Sequence, residues 1–221
     1  MKSIYKTALI VGAGDGLSAS VARTFARDGG MRIALAARNP GKLTALAKEV
    51  GAATLACDAA DLTQVKMMFA RADQVFGAAP DVVVYNPSFR VRGSIVDIEP
   101  AAVAKVLAIT AYGGFLVAQQ AAARMVPRGS GAILFTGASA SVKGYPLSAS
   151  FAMGKFALRG LAQSIARELQ PKGIHVAHFV IDGGIRGPRH IEAPDAPDAP
   201  DSMLDPDAIA QNYLNVLRQD R

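Results

Sequence analysis

Short apolar runs alternate with longer amphipathic stretches along most of the chain, and this rhythm constrains the fold more than any other feature of the sequence. Thr7–Val11, Arg32–Ala36, Ala53–Cys57, Val82–Tyr85, Ala132–Phe135 and Ile174–Val180 read as strands. None shows clean apolar–polar alternation, and strands apolar on both faces are those buried in a parallel sheet. Helical patterns over 16–28, 41–50, 62–76, 100–126 and 151–169 separate them. A β-α-β-α order predicts a parallel sheet with helices on both faces, and right-handed crossovers restrict it to a doubly wound topology.

The 221 residues suit a single domain over 1–221, and 51% apolar content with few dispersed Gly and Pro excludes a disordered or fibrous chain. One cysteine, Cys57, excludes an intrachain disulfide framework and a cysteine-based zinc site, and fits a reducing compartment. The charge of +6 is spread over single basic residues such as Lys42, Lys48, Lys66 and Arg71, with no arm for nucleic acid. No apolar stretch reaches the roughly 18 residues of a membrane span. The apolar run after Lys2 and Lys6 is too short for a signal segment, so a cytoplasmic location is expected. After Ile181 the texture changes to turns and then to the Pro-Asp-Ala near-repeat of 194–201. Repeated proline excludes a regular helix there, so 186–204 reads either as a solvated surface loop or as a lid-like mobile loop over a site. A last helix is expected over about 205–217, with Pro206 suited to its first turn.

The first strand runs straight into Gly12-Ala-Gly14-Asp15-Gly16-Leu17-Ser18 and then a helix. Glycine permits a tight turn and a close ligand approach, and the helix start offers free N–H groups and a positive dipole end to a pyrophosphate. Placed at the first turn of a βαβ unit, this cluster points to dinucleotide binding rather than to a merely structural turn.

Gly12-x-x-x-Gly16 resembles the glycine motif of the short-chain dehydrogenase/reductase family, and further matches follow in order. Asp58, with Ala59 after it, resembles the family's adenine contact after the third strand. Asn86 stands where the family has Asn-Asn-Ala-Gly, Lys155 sits at the head of a long helix, and Ile181-Asp-Gly183-Gly-Ile185 replaces a Pro-Gly turn. The resemblance covers about residues 5–220 and implies a Rossmann-type sheet of about six strands in the order 3-2-1-4-5-6. It implies a nicotinamide cofactor held by Gly12, Gly14, Asp15, Gly16, Leu17, Arg38, Asp58, Ala59, Asn86, Lys155, Gly183 and Ile185. Ala37-Arg38 takes the place of the acidic residue that would bind the ribose of NAD, so NADP(H) is favoured, with Arg38 on the 2′-phosphate. Asp15 beside the phosphate turn opposes that preference.

The family's chemistry uses a tyrosine as proton donor, a lysine four residues later, a serine and an asparagine. Positions i and i+4 share a helix face, which puts phenol and ammonium side by side. Here the motif reads Phe151-Ala-Met-Gly-Lys155, the serine position is Ala138 with Ser139 beside it, and the asparagine position is Thr110. Of the four groups only Lys155 survives. Tyr145, Ser148 and Ser150 lie nearby but lack the i, i+4 relation to Lys155.

His175 and His178 are three apart in a strand and so face opposite sides, which argues against a shared metal site; no metal is expected. His190, near Arg186 and Arg189, reads as solvated loop or as a contact for an anionic group. Two functions follow. One is an NAD(P)(H)-dependent oxidoreductase on a small carbonyl or alcohol by an atypical proton route. The other is a non-catalytic NAD(P)-binding sensor or partner subunit. The resemblance also implies a homodimer or homotetramer paired through the helices 101–126 and 151–169, and a seventh strand that this sequence does not reach.

Overall fold

The computed structural model describes residues 5–187 and 203–219. Six strands form one parallel sheet: β1 (Thr7–Val11), β2 (Arg32–Ala37), β3 (Ala53–Ala56), β4 (Val82–Tyr85), β5 (Gly131–Thr136) and β6 (Ile174–Phe179). Their order is β3-β2-β1-β4-β5-β6, the order implied by the resemblance. The strand order reverses between β1 and β4, and a crevice opens there at the carboxyl ends of the strands.

Both faces of the sheet are apolar because both are covered. Leu9, Val11, Val83, Tyr85, Ile133 and Phe135 pack beneath α3 (Leu62–Phe76), α5 (Gly113–Met125) and α6 (Ala149–Leu169). The intervening Ala8, Ile10, Ile33, Leu35, Val84 and Leu134 pack beneath α1 (Leu17–Arg27), α2 (Thr44–Val50) and α7 (Pro206–Leu217). Alternate residues therefore enter opposite cores, and the strand sequences read as continuous hydrophobic runs. Fully buried Phe25, Phe69 and Phe135 each contribute about 1.5–3 kcal/mol of transfer free energy.

Residues 100–126 do not form one regular helix. α4 (Pro100–Leu107) passes through a π-helical turn at Ala108–Tyr112 into α5. Pro100–Arg128 is also long and apolar enough to cross a membrane by length and composition, which the sequence reading did not anticipate, and 39% of its most apolar window is buried. It forms one layer over the sheet, and its glycines make the closest contacts. A Cβ on Gly113 would lie 2.5 Å from the Tyr85 hydroxyl and 2.8 Å from the Ala59 carbonyl oxygen, and one on Gly114 would lie 2.5 Å from Leu158.

A two-stranded parallel ribbon pairs β7 (Gly184–Ile185) with β8 (Met203–Leu204). This ties the two ends of the expected lid-like loop together. Most of that loop, with Arg189, His190 and the Pro-Asp-Ala repeat, lies outside the described residues.

Gly113→Ala tests the packing of α5. Alanine is intrinsically better in a helix by about 1 kcal/mol. Here the added methyl meets backbone, so a net loss of about 1–3 kcal/mol is expected in urea unfolding. Unchanged or increased stability would contradict the close packing.

Candidate functional site

At the end of β1 the chain turns sharply, with Gly12 at φ +78°, a conformation that favours glycine. The turn is tied to β2, because the Gly12 and Ala13 N–H groups both donate to the Ala36 carbonyl at 2.9 Å. It also approaches the loop after β4 so closely that a Cβ on Gly12 would sit 2.6 Å from the Pro87 nitrogen. A Cβ on Gly14 or Gly16, by contrast, would point into open space. Gly16 caps α1 without a side chain, and the first turn of α1 carries no acidic residue. Its N–H groups and positive dipole end are thus available to an anion.

Ser18 follows the glycines at the start of α1. In the fold it is buried and braces the turn. Its hydroxyl donates to the Gly12 carbonyl at 3.1 Å and accepts from the Asn86 amide at 2.6 Å. The Asn86 backbone N–H donates to Val11 at 3.0 Å, so one asparagine locks β4 to the phosphate turn. No local sequence signal marks Ser18, since its partners are 6 and 68 residues away.

These elements wall a cleft of about 950 Å³, the size of a small-molecule site. Gly12, Gly14, Asp15, Gly16 and Leu17 line it, and so do Arg38, Asp58, Ala59, Asn86 and Ile185. The fold thus brings together nearly all the residues expected for the cofactor. Gly183 is exposed and Lys155 is buried; neither is a wall residue. Lys42 is an addition. The single turn of 3₁₀ helix at Pro40–Leu43 carries it into the wall beside Arg38. Neither cation has an acidic partner among the described residues. Asp58 accepts from the Ala60 N–H at 3.0 Å, which fixes its carboxylate at the end of β3. Cys57 is buried in the same wall, and burial next to Asp58 and Asp61 pushes its thiol up to about 12, so it is unreactive at neutral pH.

None of the positions expected to be catalytic, Lys155, Ser139, Phe151 and Thr110, is a wall residue. Lys155 is 3% exposed, and its Nζ donates to the Thr136 carbonyl at 2.8 Å; Thr136 itself lines the cleft. Burial lowers the ammonium to about 8. The Phe151 ring carries no polar atom and has two cations near it, Arg90 Cζ at 5.2 Å and Lys155 Nζ at 5.8 Å from its centroid. Thr110 is buried in the π-helical turn, where its Oγ1 accepts from the Phe89 N–H at 3.4 Å. It therefore secures the loop after β4. The Tyr85 hydroxyl donates to the Ile109 carbonyl beside it.

Ser139 opens a short 3₁₀ turn, and its N–H donates to Ile181 at 2.9 Å. At Ala138 the backbone N–H donates to Ser141 Oγ at 3.1 Å. Ser148 accepts from Arg90 at 3.4 Å and Ser150 donates to the Val91 carbonyl at 2.9 Å, so both hold the same loop. Tyr145 is exposed beneath the Lys143 ammonium. His178 packs on Gly137, where burial and the charges of Lys155 and Arg159 lower its imidazole to about 4 and keep it neutral. Burial also lowers His175. No group of three metal-ligating side chains occurs among the described residues.

The family model for short chain dehydrogenases matches residues 6–189. A short-chain dehydrogenase/reductase of Armillaria gallica is 30% identical over 193 residues, 84% of this chain and 73% of that one. The cyclic-di-GMP-binding biofilm dispersal mediator protein of Escherichia coli is 30% identical over 175 residues, 77% of this chain and 70% of its own. Among solved structures, a short-chain dehydrogenase from Rhodopseudomonas palustris superposes with a TM-score of 0.80 at 32% identity, covering 97% of this chain and 92% of that one.

The burial of Lys155 carries a pH signature. Its ordinary value is 10.5 and its folded value about 8, so between these the unfolded chain binds more protons and folding is increasingly favoured as pH rises. Wild type should therefore gain on Lys155→Met across pH 8–10.5, by up to about 3 kcal/mol, in urea unfolding at each pH. Parallel pH curves would show that Nζ is not desolvated.

Proposed function

The chain belongs to the short-chain dehydrogenase/reductase family, and from that premise we propose that it is an NADP(H)-dependent oxidoreductase of small carbonyl or alcohol compounds that works without a tyrosine acid. By family it is an oxidoreductase of the short-chain type, and a nicotinamide cofactor goes with the fold. The observation that carries the reading is the open glycine turn, with no side-chain cap on α1, lining one cleft with Arg38 and Lys42, which have no acidic partner among the described residues.

The residues present fit the cofactor. Glycines at 14 and 16 leave room for a pyrophosphate, and the α1 N-terminus offers N–H groups to it. Arg38 and Lys42 suit a 2′-phosphate, while Asp58 suits the adenine end. Lys155, with two N–H donors left beyond its bond to Thr136, suits the ribose hydroxyls at the other end. When bound, the nicotinamide supplies or accepts hydride. This chain's residues align the substrate carbon and exclude water, and positioning alone accelerates transfer. Lys155, and Ser139 beside it, are the groups left to hold a substrate oxygen, and water brings the proton. Loss of general acid help costs about 10²–10⁴ in rate.

The apolar side chain of Phe151 favours a second reading, in which the same cleft binds NADP(H) without turnover and serves a sensor or partner-subunit role. A second copy of the chain suits the exposed face of α5 and α6, where Phe115, Ala122, Leu161 and Ile165 line an apolar groove, giving a homodimer or homotetramer. Buried, unreactive Cys57 suits a reducing cytoplasm.

NADPH should bind with a change in its fluorescence and more tightly than NADH, and Arg38→Asp should reverse that order. Absence of binding by both nucleotides at millimolar concentration would contradict both readings. Phe151→Tyr with Ala138→Ser should raise turnover on a carbonyl panel about 10²-fold or more. Turnover confined to that variant identifies the native protein as non-catalytic, whereas stoichiometric turnover by wild type removes the sensor reading.

A further inference from the structure

The charge is not spread evenly. Between Glu99 and Glu168 the chain has no acidic residue, yet it carries Lys105, Arg124, Arg128, Lys143, Lys155, Arg159 and Arg167. This stretch supplies β5, whose Thr136 lines the cleft, the turn after it and most of α6, whose Lys155 is bonded to that threonine. Arg124, Arg128 and Lys143 are neutralised by Asp73, Asp81 and Asp182. Lys155 and Arg159, one turn apart on α6, have no acidic partner among the described residues. A third cation, Arg90 of the loop after β4, shares the Phe151 ring with Lys155. Arg90 follows Phe89, a cleft residue, and places its guanidinium 5.2 Å from the centroid of Phe151, with one N–H on Ser148 Oγ at 3.4 Å. It too lacks an acidic partner there; the next acidic residues along the chain, Asp97 and Glu99, are exposed and form no ion pair among the described residues, and the preceding one, Asp81, pairs with Arg128. Stacking on an aromatic face orients the guanidinium and leaves most of its five donors free, the arrangement that recognises a carboxylate.

We propose that the substrate is a carboxylate-bearing carbonyl compound, an oxo acid or the corresponding hydroxy acid, and that Arg90, stacked on Phe151, is the specificity-determining residue that binds its carboxylate. The inference rests on the oxidoreductase reading and deepens it. In the reductive direction the carbonyl carbon takes hydride from the reduced nicotinamide, which is oxidised, and the carbonyl oxygen takes a proton from water. The carboxylate anchor fixes the carbonyl beside Lys155 and does part of the positioning that a tyrosine hydroxyl performs elsewhere in the family.

The test is an equilibrium titration of acetoacetate and 2-oxobutyrate, each against its uncharged ethyl ester. Binding is followed by calorimetry on the full chain with and without saturating NADP⁺, so that no turnover is needed. At least one acid should bind tenfold or more tightly than its ester. Arg90→Gln should abolish that preference, Arg90→Lys should restore part of it, and the affinity for NADPH should be the same in all three proteins. Equal binding of acid and ester, a preference that survives Arg90→Gln, or no binding of either acid would overturn the assignment. Loss of NADP⁺ binding with the acid preference intact would overturn the cofactor reading instead.

Discussion

The approach of Gly12 to Pro87 is the contact on which the rest of the site depends. The carboxyl ends of β1 and β4 come so close that the chain leaving β1 has no room for a side chain, and its backbone must enter the left-handed region. Asn86 and Ser18 then lock this turn with side-chain hydrogen bonds to its carbonyl and to each other. The consequence is a helix start with no cap of its own, aimed along the crevice where the strand order reverses. Everything assigned to nucleotide binding follows from that geometry, since the amides, Arg38 and Asp58 come from the ends of three neighbouring strands.

The two ends of the site have diverged in chemistry. At the phosphate end the polar groups are either braced or left open to solvent. At the other end the residues that would handle a proton are apolar or already engaged. Phe151 has no hydroxyl, Ala138 has no side-chain donor, and the Thr110 hydroxyl oxygen accepts from the Phe89 N–H. Lys155 remains, buried and bound to Thr136, with its ammonium destabilised by the loss of water. A buried cation of this kind becomes easier to neutralise and gains from any ligand that brings hydroxyls or negative charge to it. Arg90 and Arg159 likewise have no acidic partner among the described residues, and the proposed carboxylate substrate would supply one beside Phe151.

The sheet was legible because its signal is local. Each strand is a short apolar run bounded by turn residues, and the six runs fall where the strands form, to within a residue at most ends. The cleft wall was legible because it sits at strand ends, where position in sequence translates directly into position in space. What escaped the sequence depends on distant partners. Ser18 gains its role from Asn86, Lys42 from a single 3₁₀ turn, and Arg90 from a ring 61 residues further on. The π-helical turn at Ala108–Tyr112 is invisible to a periodicity argument, because the flanking helices continue the same apolar stripe. The apolar length of 100–128 likewise reflects one face on the core and another open at α5 and α6, which composition alone does not separate.

A crystal structure of the NADP⁺ complex measures the central claim most directly. The expected result is a pyrophosphate on the amides at the start of α1, the 2′-phosphate at Arg38 and Lys42, and the nicotinamide C4 facing Phe151 with no protic side chain from residues 138, 145 or 151 in contact. A nucleotide bound elsewhere, or a tyrosine hydroxyl delivered to C4, would contradict the proposed NADP(H) site that works without a tyrosine acid.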